Sequence, residues 1–221
     1  MGGSALHRHA RRSAGGADGL GGPLKEGLDG LQAEIAACRV CAAHLPAGCR
    51  PVVRLGATAR LLVIGQAPGA RVHASGTPWD DASGARLRDW MGISPLLFYD
   101  TRHIAIMPMG FCYPGTGTSG DLPPRPECAP LWHQRVLAQL PELRLTLLVG
   151  SYAQRRYLGG ATRQTVAQTV QGFAVYGPRF FPLPHPSWRS TNWIRRNPWF
   201  VTEVLPALKS HVAALLGVRG E

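Results

Sequence analysis

The 221-residue chain contains no apolar run near the ~20 residues that cross a bilayer as a helix. A helical membrane anchor is therefore not expected. Its first thirty residues, "MGGSALHRHARRSAGGADGLGGPLKEGLDG", carry arginines but no apolar h-region, so they do not read as a secretory signal. No internal repeat is present. Acidic residues are few: 13 Asp+Glu against 24 Lys+Arg, for a net charge of +11, and nearly all the cations are arginine. A basic surface attracts phosphates and gains from counterion release, which favours a polyanion such as DNA or RNA. A genome rich in Arg, Ala and Gly codons would produce the same arginine excess, so charge alone does not name the ligand. The cysteines number five, and an odd count in a chain with no export signal argues against a disulfide framework.

The balance of 45% hydrophobic and 17% charged residues is that of an ordinary globular chain. The length allows one well-filled core. Residues 1–27 are glycine-rich and read as a disordered basic leader, and residues 28–221 as a single domain. "LDGLQAEIAACRVC" has the spacing of a short amphipathic helix, with Leu28, Leu31, Ile35 and Ala36 on one face, running into Cys38. "ARLLVIGQAPG" is an apolar run ended by a Gly/Pro turn, the pattern of a buried parallel strand and its loop. "SGARLRDWMGI" follows as a helix, with Ser83 as its cap. The pattern returns in "HIAIMPM", "LRLTLLVGSYAQRRYL" and "RFFPLPHPSW". Further helices are expected at "APLWHQRVLAQL" and "NPWFVTEVLPALKSHVAALLGV". Alternation of strand and helix predicts an α/β fold, a three-layer α/β/α sandwich with a central, mostly parallel sheet of about four strands. Ligands of such sheets bind beyond the carboxyl ends of the strands, where "GQAPG" and "PHPSW" both lie.

Cys38 and Cys41 form a C-x-x-C at a helix end, and Cys112 and Cys128 bracket "FCYPGTGTSGDLPPRPEC", a Gly/Pro-rich loop expected to hold neither helix nor strand. Two such pairs point to metal binding, and four thiolates suit zinc or an iron-sulfur cluster equally. Cys49 reads as the spare.

In order along the chain stand "CRVC", "IGQAPG" with "SGTPWDDASG", two cysteines sixteen positions apart, and "PHPSW". Together these pieces resemble the uracil-DNA glycosylase superfamily, most closely its iron-sulfur members, families 4 and 5, over most of the chain from about Glu34. The resemblance implies that Cys38, Cys41, Cys112 and Cys128 hold a structural [4Fe-4S] cluster. It implies a monomeric, monofunctional uracil-DNA glycosylase of bacterial type, cytoplasmic and working on the DNA of the nucleoid in base excision repair.

Such an enzyme takes its base out of the duplex, grips it, and lets the bond from sugar to base break. The sugar becomes cation-like and the departing uracil anion-like, so a negative group is needed near the sugar and donors at the uracil oxygens. The turn Gly65, Gln66, Ala67, Pro68, Gly69 would let backbone N–H groups approach the ligand. Family 4 has an acid at the second position of this motif. Gln66 is an amide and cannot be a base, so the carboxylate must come from elsewhere. Family 5 carries a similar "GDAS" stretch whose Asp supports catalysis, and the resemblance puts Asp81 of "PWDDASG" at the matching place, with Asp80 second and one Asp otherwise capping the next helix. Trp79 matches the aromatic that stacks on the base, and His185 the histidine that steadies the leaving anion. Ser187 belongs to a segment resembling the one that enters the minor groove, with Arg189, Arg195 and Arg196 available for phosphates. The iron-sulfur members read the uracil edge with an Asn ahead of the third cysteine. Here "MPMGF" puts Pro108 near that place, so a backbone group or Asn192 would do the reading, and hypoxanthine, xanthine or a modified uracil become candidate substrates. The other readings are a non-catalytic or differently specific DNA-binding member, and a nucleotide-binding α/β protein with structural zinc.

Overall fold

A computed structural model describes Met1 and residues 27–118, 120–159 and 165–217. The leader expected over residues 1–27 lies almost wholly outside the described residues. The central sheet has four strands, β1 (Leu61–Ile64), β2 (Ile104–Ile106), β5 (Leu145–Val149) and β6 (Phe180–Leu183). They run in the order β2-β1-β5-β6. All three pairings are parallel, with Leu61 beside both Ile104 and Leu145, and Leu147 beside Phe181.

Successive side chains of a strand point to opposite faces, so each apolar run supplies two cores at once. Leu61 and Val63 of β1 join Ile106, Leu147, Phe181 and Leu183 on one face. That face is covered by Leu87, Trp90 and Met91 of helix α3 (Ala82–Met91) and by Leu208 and Val212 of helix α9 (Leu205–Leu216). Leu62 and Ile64 join Ala105, Met107 and Leu148 on the other. There Leu31 and Ile35 of helix α1 (Leu28–Ala37) meet Trp132 and Val136 of helix α5 (Cys128–Ala138) and Ala153 of helix α6 (Ser151–Leu158). The expected α/β/α sandwich is therefore present, made necessary by strands that have no polar face.

Local details depart from expectation. The cap of α3 is Asp81, in extended conformation, whose Oδ1 accepts a 2.7 Å bond from the Gly84 amide; Ser83 lies inside the first turn. Ala36 is exposed, and the buried face of α1 is carried by Leu31 and Ile35. The loop between Cys112 and Cys128 contains a small antiparallel ladder, β3 (Thr116–Gly117) with β4 (Gly120–Asp121), because glycines allow a reversal within so few residues. "WRSTNWIRR" contains helix α8 (Ser190–Arg196), and the last long helix opens with a π-turn over Phe200–Val204. Short helices α2 (Ala70–Ser75), α4 (Pro95–Phe98) and α7 (Val166–Gln171), with 3-10 turns at Ala42–His44 and Phe173–Tyr176, complete the described elements.

Candidate active site

The loops that leave β1, β2 and β6 at their carboxyl ends meet around a cavity of about 440 Å³. Gly65, Gln66, Ala67, Pro68 and Gly69 form one wall, Pro108 another, and His185 with Ser187 a third. Trp79 and Asp81 enter from the segment before α3, Gly120 and Asp121 from β4, and Trp188 with Arg189 stand at the rim.

Trp79 is held in an uncommon backbone state for a bulky residue, with φ of 57°. A non-glycine residue fixed there costs on the order of 1–3 kcal/mol and marks a position the surroundings over-determine. Those surroundings are visible. Arg88 donates to the Trp79 carbonyl at 3.2 Å, the Tyr99 hydroxyl donates to the Pro78 carbonyl at 3.0 Å, and two glycines make room. A Cβ on Gly84 would lie 1.7 Å from the Trp79 oxygen, and one on Gly65 would lie 2.6 Å from the indole ring. The indole packs partly on the core below and faces the His185 imidazole, ring centres 5.8 Å apart. A flat apolar surface and a ring nitrogen donor thus share one wall, the requirement for gripping a planar heterocycle.

His185 follows β6, whose last carbonyl, Leu183, accepts bonds from the Gly150 amide (2.9 Å) and from the buried Gln154 side chain (2.8 Å). The Ser190 hydroxyl donates to the His185 carbonyl, and Arg86 of α3 donates to the Ser187 carbonyl at 2.7 Å. Burial lowers the imidazole pKa, and the charges of Asp81 and Asp121 oppose that shift. The ring is therefore neutral near pH 7 and presents one N–H.

Of the residues expected at the site, the glycine turn, Trp79, Asp81, His185, Ser187 and Arg189 are brought together. Asp80 is not: it points away from the cavity, 4.0 Å from the exposed Arg71 guanidinium. Asn192 is not either; it lies with Arg195 and Arg196 in a separate open groove on α8. Pro108 does line the wall, and its carbonyl accepts a 3.1 Å bond from the buried His133. Asp121 was absent from the sequence reading. The available signal was that it and Glu127 are the acids between Cys112 and Cys128, but a Gly/Pro-rich loop gives no register from which to aim a side chain.

A family model described as the Uracil DNA glycosylase superfamily matches residues 53–209, the greater part of the chain and all of this cavity's lining except Val52. The chain belongs to the uracil DNA glycosylase superfamily. Membership implies a hydrolase of the DNA glycosylase type and makes DNA its expected partner. Among the described residues no helix is long and apolar enough to cross a membrane.

In this glycosylase-superfamily member the five cysteines, all free, line one apolar chamber with Leu45, Phe111 and Trp132. Cys49 is part of that wall rather than remote from it. Burial pushes the Cys112 thiol up to about 11 and the Cys128 thiol up to about 12, while the Phe111 amide donates to the Cys128 sulfur at 3.3 Å. The donor set is all sulfur, which suits iron-sulfur clusters and zinc by softness. Among the described residues no three Cys, His, Asp or Glu side chains are grouped as ligands of a single metal ion.

Proposed function

We propose that the protein removes uracil from DNA by hydrolysing its N-glycosidic bond, leaving an abasic site, and that it acts as a monofunctional, monomeric enzyme of base excision repair. The observation that carries this reading is the cavity itself: a strained, clamped indole, a histidine and carboxylates around a space suited to one flipped base. Trp79 stacks on the base. The His185 N–H donates to the oxygen on which the leaving anion's charge builds, and a neutral donor suits that task because it keeps its proton. The Asp81 carboxylate, fixed in direction by its bond to Gly84, stabilises the cation-like sugar. Arg189, Arg195 and Arg196 engage phosphates, and Trp188, 75% exposed with the Arg189 guanidinium over its ring, contacts the DNA beside the extruded nucleotide.

The same reading assigns Cys38, Cys41, Cys112 and Cys128 to a [4Fe-4S] cluster, as in the family 4 and 5 members the sequence resembles. Support comes from the shared chamber, the all-sulfur donor set and the amide directed at Cys128. The cluster would be structural, since hydrolysis of this bond transfers no electrons. Its ligands would tie the segment after α1 to both ends of the loop that carries Asp121.

A second reading has its own support. Pro108 offers a carbonyl and no side-chain donor or acceptor where the base edge would lie, and Asn192 does not reach the cavity. A base other than uracil, such as hypoxanthine or xanthine, fits that wall through backbone contacts.

The test is to incubate anaerobically purified protein with single- and double-stranded oligonucleotides carrying one uracil, hypoxanthine or xanthine. Alkali then cleaves abasic sites, and a visible spectrum of the same sample reports the cluster. Scission at uracil supports the first reading; scission at another base alone supports the second; binding without scission at any base refutes catalysis.

A further inference from the structure

The carboxylates that could serve at this cavity are not equivalent. Asp81 has one oxygen bound by the Gly84 amide as a helix cap, and Asp80 faces outward beside Arg71. Gln66, on the glycine turn, is an amide and cannot take a proton. Asp121, at the end of β4, lines the cavity. Among the described residues its carboxylate accepts no hydrogen bond and forms no ion pair, whereas Asp100 and Glu127 are each engaged by a neighbouring arginine.

The aim of Asp121 is specific. A Cβ built on Gly69 would lie 3.3 Å from its Oδ2, so the carboxylate faces the glycine turn. Beside it, Gln66 Nε2 reaches the Leu122 carbonyl at 3.5 Å, joining the turn to the loop that carries the acid. The backbone under Asp121 is fixed by its pairing with Thr116 and by the Leu122 amide bonded to the Gly115 carbonyl at 2.9 Å. Its charge is felt at His185 across the cavity.

We propose that Asp121 is a catalytic residue of this site, the carboxylate that activates the attacking water. The inference rests on the glycosylase reading above. The bond from C1′ to the base nitrogen breaks with its electron pair leaving on the base. A water oxygen then bonds to C1′ while one of that water's protons passes to an Asp121 oxygen. Transfer of that proton to the base anion, directly or through solvent, regenerates the carboxylate and leaves a neutral base and an abasic sugar. Asp121 is suited to this because its oxygens are free, and Asp81 is suited to charge stabilisation because one of its oxygens is fixed.

The experiment compares wild type, Asp121→Asn and Asp81→Asn in single-turnover base release at saturating enzyme, on whichever base the wild type removes. DNA affinity and thermal midpoint are measured on the same samples. Removing a general base costs on the order of 10²–10⁴ in rate. The expected result for Asp121→Asn is a loss in that range, with unchanged thermal midpoint and DNA binding as tight as wild type or tighter, since a negative charge has been removed. An Asp121→Asn rate close to that of wild type, or a defect confined to affinity, overturns the proposal; with Asp81→Asn slow, the role passes to Asp81. A wild type that releases no base at all refutes the glycosylase reading itself and this assignment with it.

Discussion

His133 offers a quantitative test of how the wall of the cavity is held. It is 2% exposed, stacked near Phe111 and Tyr157, and bonded at both ring nitrogens, to the Pro108 carbonyl at 3.1 Å and the Tyr157 hydroxyl at 2.7 Å. A carbonyl can only accept, so Nε2 carries the hydrogen and Nδ1 must accept from the tyrosine. Protonating Nδ1 would reverse that bond, with the tyrosine oxygen accepting, and would place a charge in the core near Arg156. Burial accordingly lowers the imidazole pKa to about 4, while the unfolded chain keeps the ordinary 6.5. Between these values the unfolded state binds a proton that the folded state refuses, so stability rises with pH. Full stability is present above the unfolded value and is lost as pH falls toward the folded one. The linked loss is roughly 2 kcal/mol by pH 5 and roughly 3 kcal/mol by pH 4. Denaturant titrations of wild type and His133→Gln at pH 7, 6 and 5 read it. The variant starts less stable by on the order of 1 kcal/mol, since glutamine remakes the two bonds imperfectly. It should then lose about 2 kcal/mol less than wild type on going to pH 5. Parallel pH profiles for the two proteins would refute the buried, neutral assignment.

Three further outcomes are expected. Gly84→Ala puts a Cβ 1.7 Å from the Trp79 carbonyl, a backbone atom that cannot rotate away, so the segment before α3 must shift. Base release should fall by at least tenfold, with lowered thermal stability, and a wild-type rate would show that the Trp79 conformation is dispensable. His185→Ala should slow single-turnover base release by about 10²–10³ with little change in DNA affinity, as for loss of one donor to a developing anion. An equal loss of affinity and rate would make it a ground-state contact instead. Cys112→Ser should lower soluble yield and iron content together, measured by iron analysis and the visible spectrum, and a fully loaded, active variant would contradict the ligand assignment.

Much of the fold was written in local sequence. Runs such as "LLVI" and "LTLLV" have no polar face, and a strand with none must be covered on both sides, which fixes a parallel sheet between two helical layers. The turn "GQAPG" and the rigid "PHPSW" were placed correctly at strand ends because glycine and proline act on the backbone where they stand. Trp79, Asp81, His185, Ser187 and Arg189 were named through the family resemblance of the motifs, and they line one cavity. What the sequence could not settle was direction. Which of two adjacent aspartates enters the cavity depends on one backbone turn before α3, and it turned Asp81 inward as a cap and Asp80 outward to Arg71. Asn192, near His185 in sequence, lines a different groove because α8, which carries it, turns it there with Arg195 and Arg196. Only the packing of the loop between Cys112 and Cys128 brings Asp121 to the cavity, and only the packing of α5 against the sheet brings His133 to the carbonyl of Pro108, one of the cavity's lining residues. Composition and local spacing determine which surfaces must be buried; long-range packing decides which polar groups then face one another.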